Sequence, residues 1–570
     1  LNAQTAAEQT LHGLIVSGER PDFDSRIAEG LGVSPAKTAG EADFVISGLN
    51  QEAFDTARRE ALANGKSLCL VIPGPLPFHS KTTPSSFSYV MLKATILSRY
   101  GHADEAAIRA LLADALQAGR TVDTSVLGQW RALPPADGRS PRRQEADIEN
   151  RALQILMETG GLPDAEPDGF WRVLAEACAG SQLELDRVIG PLLQKNTAWF
   201  EPYRQSVIDA SGALEILRLI ETRRAENNRP VHCFGVAPGG RPIISAAFAG
   251  DGGPVTWHDN DAEALAAAAR QGGVILSAGG LGAGSLEQAC RDRGVDLLHM
   301  DDDFLCFTGL EAVLPPAAML TADDLGPHDD AAGSSRLEAL LQNYELSAEE
   351  MSRGIALLDR LARVHDLKDG PDKSRAIAIP KGRQTVLVPG EAGRVDEAAA
   401  ATSERNLHLL RRARERNPDA FIIFKPHTDL EADRASTREA RRYADLVEKK
   451  ADISDLVAQC DAVETFSAPT GFAALLLGVP VTVHGLPFYA GWGLTEDLSV
   501  FPRRTTRRTL AELVYLALAV YARCTDPVSL LPCPPEVLID RAVARQQEMQ
   551  RPARSPMLNP MSWLGRKLGL

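Results

Sequence analysis

The chain has 570 residues, too many for one hydrophobic core, so about three or four compact units are expected. An apolar fraction of 44% and an aromatic fraction of 5% are ordinary for a soluble protein. A net charge of −15 excludes a general nucleic-acid binder, which needs a basic surface to displace counterions, but leaves room for a local pocket that holds an anionic small molecule.

Residues 1–12 lack the basic-then-apolar pattern of a signal peptide, and no run is apolar enough to span a bilayer. The eight cysteines are scattered and none forms a C-x-x-C pair, which points to buried reduced thiols and no metal site. Both patterns predict a cytoplasmic protein. Leu14–Val16, Phe44–Ile46 and Leu68–Ile72 read as buried strands that alternate with helices over 51–64 and 104–118. That rhythm predicts an α/β unit over residues 1–120. Residues 133–147 are rich in proline and charge and read as a linker, and 148–225 read as helical, with Trp171, Leu174, Ala175 and Cys178 on one face. Residues 121–225 are therefore expected to be a linker and helical region.

From Val231 the α/β rhythm returns. Strands are expected at 231–235, 274–277 and 297–300, with a helical stretch over 336–365 and a break at 367–373. Further strands are expected at 384–389, 420–424, 461–465 and 480–483, interleaved with helices over 403–416, 436–447 and 471–478. Two Rossmann-like halves result, 226–378 and 379–530, in the paired arrangement called GT-B, followed by a C-terminal helix and tail over 531–570. The layouts of 84–112 and 315–341 resemble one another, which reads either as a worn duplicate of the first half or as chance. In open α/β sheets ligands sit beyond the carboxyl ends of the strands, and the chain's unusual segments fall there.

Asp301-Asp302-Asp303 ends one predicted strand, and clustered carboxylates can share acid and base roles. Lys425 and His427 follow the strand AFIIF and could meet a phosphate. Ser467 and Thr470 precede the helix from Gly471, with Thr470 the expected N-cap and free N–H groups beyond it. The loop 485–495, GLPFYAGWGLT, carries Tyr489 and Trp492 and could wall a ligand. Taken alone, each has a plainer structural reading: a solvated acidic turn, a loop histidine, a capped helix, a packed loop. Gly279–Gly284 lacks the G-x-G-x-x-G spacing and reads as a flexible turn.

Taken in order, DDDFLCFTGL (301–310), TVLVPGE (385–391), NPDAFIIFKPHTDLEADR (417–434) and GFAALLLGVPVTVHGLPFYAGWGLTED (471–497) resemble the capsule polysaccharide family of KpsC-type β-Kdo transferases. The resemblance spans about residues 230–530. It implies a GT-B fold, CMP-Kdo as donor and a lipid-linked glycan primer as acceptor at the cytoplasmic face of the inner membrane, with no bound cofactor. Transfer with retention calls for a carboxylate nucleophile and an acid/base partner. Asp301 and Asp302 match the family's acidic pair, and Asp396 is the nearest substitute for a further acidic run. Lys425, His427, Ser467, Thr470, Gly471, Tyr489 and Trp492 would face the donor, with His427 and the helix from Gly471 on its phosphate. The chain departs from the pattern at Asp303, Cys306, Glu391, Thr428 and Ala473, which leaves a decayed scaffold, a glycan-binding subunit or a transferase of another nucleotide sugar as alternatives. The basic, apolar tail 551–570 reads as either an anchor on anionic lipid or a disordered end.

Overall fold

The computed structural model describes residues 11–16, 27–47, 51–73, 86–92, 197–204, 206–278, 283–301, 304, 310, 313–328, 333–368, 377, 379–391, 399–427 and 434–550. The chain divides into two compact units, Leu1–Glu226 and Asn227–Leu570.

The first unit is built on a seven-stranded sheet. Its strands are β1 (His12–Val16), β2 (Ser34–Pro35), β3 (Phe44–Ser47), β4 (Ser67–Pro73), β5 (Ser86–Leu92), β6 (Thr197–Phe200) and β7 (Val207–Ile208). Strands β1 to β4 pair in parallel, and β4 to β7 pair antiparallel. The three strands expected from the sequence are β1, β3 and β4. The stretch expected to be helical up to residue 225 differs: Thr197–Phe200 and Val207–Ile208 join the sheet, and only Ala210–Glu226 of its described part forms a helix. The apolar run at Ala198–Phe200 is buried on the sheet, a long-range pairing that helical periodicity cannot reveal. The linker 133–147, the helix expected over 104–118 and the face around Trp171 lie outside the described residues.

The second unit holds two parallel sheets. The first has the order β11-β10-β8-β9, from β8 (Val231–Phe234), β9 (Thr256–Trp257), β10 (Val274–Ala278) and β11 (Asp296–Met300). The short β12 (Met319–Leu320) pairs apart from it with a strand near the end of the chain. The second sheet has the order β15-β14-β13-β16-β17-β18, from β13 (Thr385–Pro389), β14 (Phe421–Lys425), β15 (Leu446–Val447), β16 (Ala462–Thr465), β17 (Val481–Val483) and β18 (Glu496–Asp497), all parallel. The inner strands β10 and β13 are continuous apolar runs buried at all five positions, as expected of parallel strands covered on both faces. The chain is thus an α/β protein with two Rossmann-like parallel sheets in series, the GT-B-like pairing expected. In the second sheet the strand order reverses between β13 and β16. The crevice at their carboxyl ends is the position where open sheets bind ligands.

Three helical expectations shift. The stretch 436–447 is a helix only over Arg434–Ala440, and Leu446–Val447 pairs with β14 as β15. The helix expected over 471–478 runs over Pro469–Leu476, because proline fits a first turn and the chain turns left-handed at Gly478. The stretch 336–365 splits into Arg336–Asn343 and Ala348–Lys368. Ser347 and Glu350 cap the second helix reciprocally: the Glu350 N–H donates to the Ser347 hydroxyl at 3.2 Å, and the Ser347 N–H donates to the Glu350 carboxylate at 2.7 Å.

Glu350 also accepts from the Tyr344 hydroxyl at 2.6 Å and the Tyr515 hydroxyl at 3.1 Å. The Tyr344 hydrogen bond, and after it the Ser347 N–H, pull its carboxyl down to about 2. A depressed carboxylate stabilises the fold above the unfolded value, near ~4.3, and that contribution is lost as pH falls toward the folded value. Thermal melts of Glu350→Gln beside wild type are expected to show a gap at neutral pH that narrows steadily below about pH 4.5. A gap independent of pH would contradict the capping role.

The described cysteines Cys69, Cys233, Cys290, Cys460, Cys524 and Cys533 are buried free thiols. Burial pushes Cys69 and Cys460 up to about 12, which keeps them protonated. No helix among the described residues is long and apolar enough to cross a membrane. The tail 551–570 lies outside those residues.

Candidate functional site

At the switch point of the second sheet, the chain leaves β13 as Gly390-Glu391 and leaves β16 as Phe466-Ser467-Ala468. The Gly390 N–H donates to the Lys425 carbonyl at 2.7 Å. A Cβ on Gly390 would stand 2.6 Å from the His427 nitrogen, so only glycine lets the ends of β13 and β14 approach this closely.

Glu391 is buried, at 5% exposure. Its carboxylate accepts the Thr465 hydroxyl at 2.8 Å, the Phe466, Ser467 and Ala468 N–H groups at 3.0, 3.1 and 3.1 Å, and the Ser467 hydroxyl at 3.0 Å. Its own N–H donates to Asn406 at 2.7 Å. The N–H groups just ahead of helix Pro469–Leu476 thus hold a carboxylate from this chain, while the groups beyond Thr470, expected to meet a donor phosphate, are not among those that Glu391 holds. The N-cap is Ala468, with no side-chain cap, and Thr470 is the second residue of the helix, which corrects the expected cap.

Gly471, Tyr489 and Trp492 also differ from expectation. The Tyr489 hydroxyl donates to the Ala468 carbonyl at 2.7 Å, and the Trp492 indole N–H donates to the Phe488 carbonyl at 2.7 Å. Both rings are 0% exposed. A Cβ on Gly471 would meet the Tyr489 oxygen at 2.2 Å, so that glycine makes room for the tyrosine. These three residues hold the loop 485–495 against the helix; no ligand can touch the buried rings without moving them.

Lys425 ends β14, and its ammonium donates to the Lys449 carbonyl at 2.7 Å. His427, two residues on, is half-buried beside Gly390. Asp301 ends β11 in the first sheet. Its backbone is fixed to Thr321 by bonds in both directions, at 3.2 and 2.9 Å, and its carboxylate lies 3.6 Å from the His328 Nε2. Asp302, Asp396 and Gly279–Gly282 lie outside the described residues.

An aromatic bridge joins the two sheets' candidate residues. Phe304 packs edge-on against His328 and Tyr521 and against Phe488, with centroids 5.0, 5.8 and 5.8 Å away. Phe488 in turn contacts Phe472 and Tyr489 at 5.3 and 5.4 Å. Such edge and offset contacts add specific geometry to the buried area. Asp301, just beyond the first sheet's β11, is thereby linked through His328, Phe304 and Phe488 to helix Pro469–Leu476. Lys425 and His427 share the strand ends with Glu391 and Ser467. The sequence reading did not single out Glu391, Thr465, His328 or Tyr521 as site residues. For Glu391 one signal existed, a carboxylate directly after a strand and glycine.

Two parallel sheets with polar residues at strand carboxyl ends place the chain in the class of open-sheet α/β proteins, which bind ligands at those ends. Residues 315–523 match the family described as capsule polysaccharide biosynthesis protein. The chain is 36% identical over 260 residues to the capsule polysaccharide modification protein LipA of Neisseria meningitidis serogroup A, covering 44% of this chain and 37% of LipA. It is 30% identical over 244 residues to the lipopolysaccharide-processing protein LpsZ of Rhizobium meliloti, covering 40% of this chain and 54% of LpsZ. The matches thus span well under two thirds of these relatives' own length. Among solved structures, the β-Kdo 2,7 transferase of Thermosulfurimonas dismutans KpsC aligns at 25% identity and a TM-score of 0.46, over 55% of this chain and 99% of that one. The β-Kdo 2,4 transferase of the same protein aligns at 25% identity and a TM-score of 0.45.

Proposed function

We propose that the chain is a glycosyltransferase of capsular polysaccharide synthesis that moves Kdo from CMP-Kdo to a lipid-linked glycan primer. It would work in the cytoplasm, peripheral to the inner membrane, with its basic tail toward anionic lipid. The observation that supports the reading is the match of residues 315–523 to the capsule polysaccharide biosynthesis family, in a chain that carries Asp301, Lys425 and His427 at or just beyond strand carboxyl ends. Retaining transfer would use Asp301, Asp302 and Asp396 as the pool from which nucleophile and acid/base partner come. Lys425 and His427 would face the donor phosphate as charge-assisted donors.

A second reading, a scaffold, a glycan-binding subunit or a transferase with another donor, is favoured by the burial of Tyr489 and Trp492, which removes from the surface two rings expected to face the donor.

Mass-spectrometric transfer with CMP-Kdo generated in place and a synthetic Kdo-terminated lipid primer separates the readings. Wild type is expected to extend the primer, and Asp302→Asn and Asp301→Asn to lose about a hundredfold or more of the rate. No product, with donor and primer proven by an active relative, would sink the transferase reading for this donor. Melting shifts across CMP- and UDP-sugars would then identify another donor or none.

A further inference from the structure

His328 was not singled out by any sequence motif, yet it sits beside Asp301. Its side chain is 4% exposed, whereas that of Asp301 is 33% exposed. The histidine is therefore shielded from solvent, whereas the carboxylate is partly open to it. The ring is clamped by Phe304 edge-on at 5.0 Å, by Phe488 at 5.9 Å and by Tyr521 at 6.4 Å. Tyr521 ends a seven-residue π-helix, Tyr515–Tyr521, a geometry found mostly at functional sites. Its hydroxyl donates to Asp323 at 2.9 Å, and Asp323 in turn accepts the Leu325, Gly326 and Arg336 N–H groups at 2.9, 3.2 and 2.7 Å. The segment that carries His328 is thus anchored at its root.

We propose that His328 is a positioning residue for Asp301, fixing the direction in which its carboxylate points; this rests on the transferase reading above. The Nε2–carboxylate separation is 3.6 Å, and a small rotation of the partly exposed carboxylate would bring it within hydrogen-bond distance of Nε2. Among the described residues, the titratable and polar groups around the pair are Asp323, Tyr521 and Thr321, each already engaged: Asp323 with Tyr521 and Thr321 with the Asp301 backbone. Nε2 is the ring atom that faces Asp301, and the Nε2–H form is the one that could donate to it.

Two measurements on the full chain test this. Histidine 15N NMR, with His328 assigned from its loss in His328→Asn, is expected to show a proton on Nε2. Protonation on Nδ1 alone would overturn the proposal, and this arm needs no donor. In the transfer assay, His328→Asn is expected to lower kcat about tenfold or more with the donor KM within about twofold. His328→Gln, whose amide nitrogen can reach the Nε2 position, is expected to recover part of kcat. Equal losses in both variants would reduce His328 to packing and overturn the proposal. If wild type transfers nothing, the transferase reading fails separately, and the tautomer alone decides the pairing.

Discussion

Replacing Glu391 by alanine is expected to destabilise the second unit by about 3 kcal/mol or more. The carboxylate is the shared acceptor for three backbone N–H groups and two hydroxyls between β16 and helix Pro469–Leu476. Charge-assisted hydrogen bonds to a buried carboxylate are stronger than neutral ones. Truncation leaves these donors facing a cavity, and each unmet buried donor costs on the order of 1–3 kcal/mol before the loop relaxes. Glutamine keeps one accepting oxygen but turns an NH2 toward the N–H groups, so Glu391→Gln is expected to fall between wild type and Glu391→Ala. Denaturant or thermal unfolding of the three proteins checks the order. An alanine variant as stable as wild type would show that the strand ends hold together without this carboxylate.

Replacing Arg504 by alanine is expected to cost about 3–5 kcal/mol, because it leaves a buried carboxylate with half its partners. Arg504 is 6% exposed and Glu338 10%, and Nε lies 2.8 Å from the Glu338 carboxylate. The same guanidinium donates to the Ala490 carbonyl at 2.7 Å and to the Pro487 carbonyl, and it stacks 5.5 Å from Trp492 and 4.9 Å from Phe501. It therefore ties helix Arg336–Asn343 to the loop 485–495. Burial works to raise the Glu338 pKa, but hydrogen bonds from Arg503 and Arg504 outweigh it and hold the carboxyl below its usual range. That contribution exists above the unfolded carboxylate value, near ~4.3, and disappears as pH falls through the lower folded value. The difference between wild type and Arg504→Ala is thus expected to be full at pH 7 and to shrink in acid. Arg504→Lys is expected to recover little, since an ammonium cannot serve Glu338 and two carbonyls in one plane. Melting curves of the two variants from pH 7 down to 4 make the comparison.

The α/β rhythm was legible because buried parallel strands are continuous apolar runs, as in β10 and β13, and their lengths separate them from helices. The strands β6, β7 and β15 were not legible. Each is short, and each exists only because a neighbour far away in sequence offers its edge: β15 pairs with β14, and β6 pairs with β5. Local pattern carries no information about such partners. Of the candidate site, the positions of Asp301, Lys425 and His427 at strand ends followed from the runs that precede them.

The sequence alone determined the two parallel sheets of the second unit, and it placed the polar segments at the carboxyl ends of their strands. Both follow from periodicity and from the βα alternation of a parallel sheet. Only the tertiary structure decided what those segments touch. It put the Glu391 carboxylate into the N–H cradle ahead of Pro469, and it turned Tyr489 and Trp492 into buried supports. It also set His328 against Asp301 across 27 positions of chain. The reason is physical: a buried donor or acceptor takes whichever complementary group the packing brings within about 3 Å, and that choice is made by the assembled sheets rather than by neighbours along the chain.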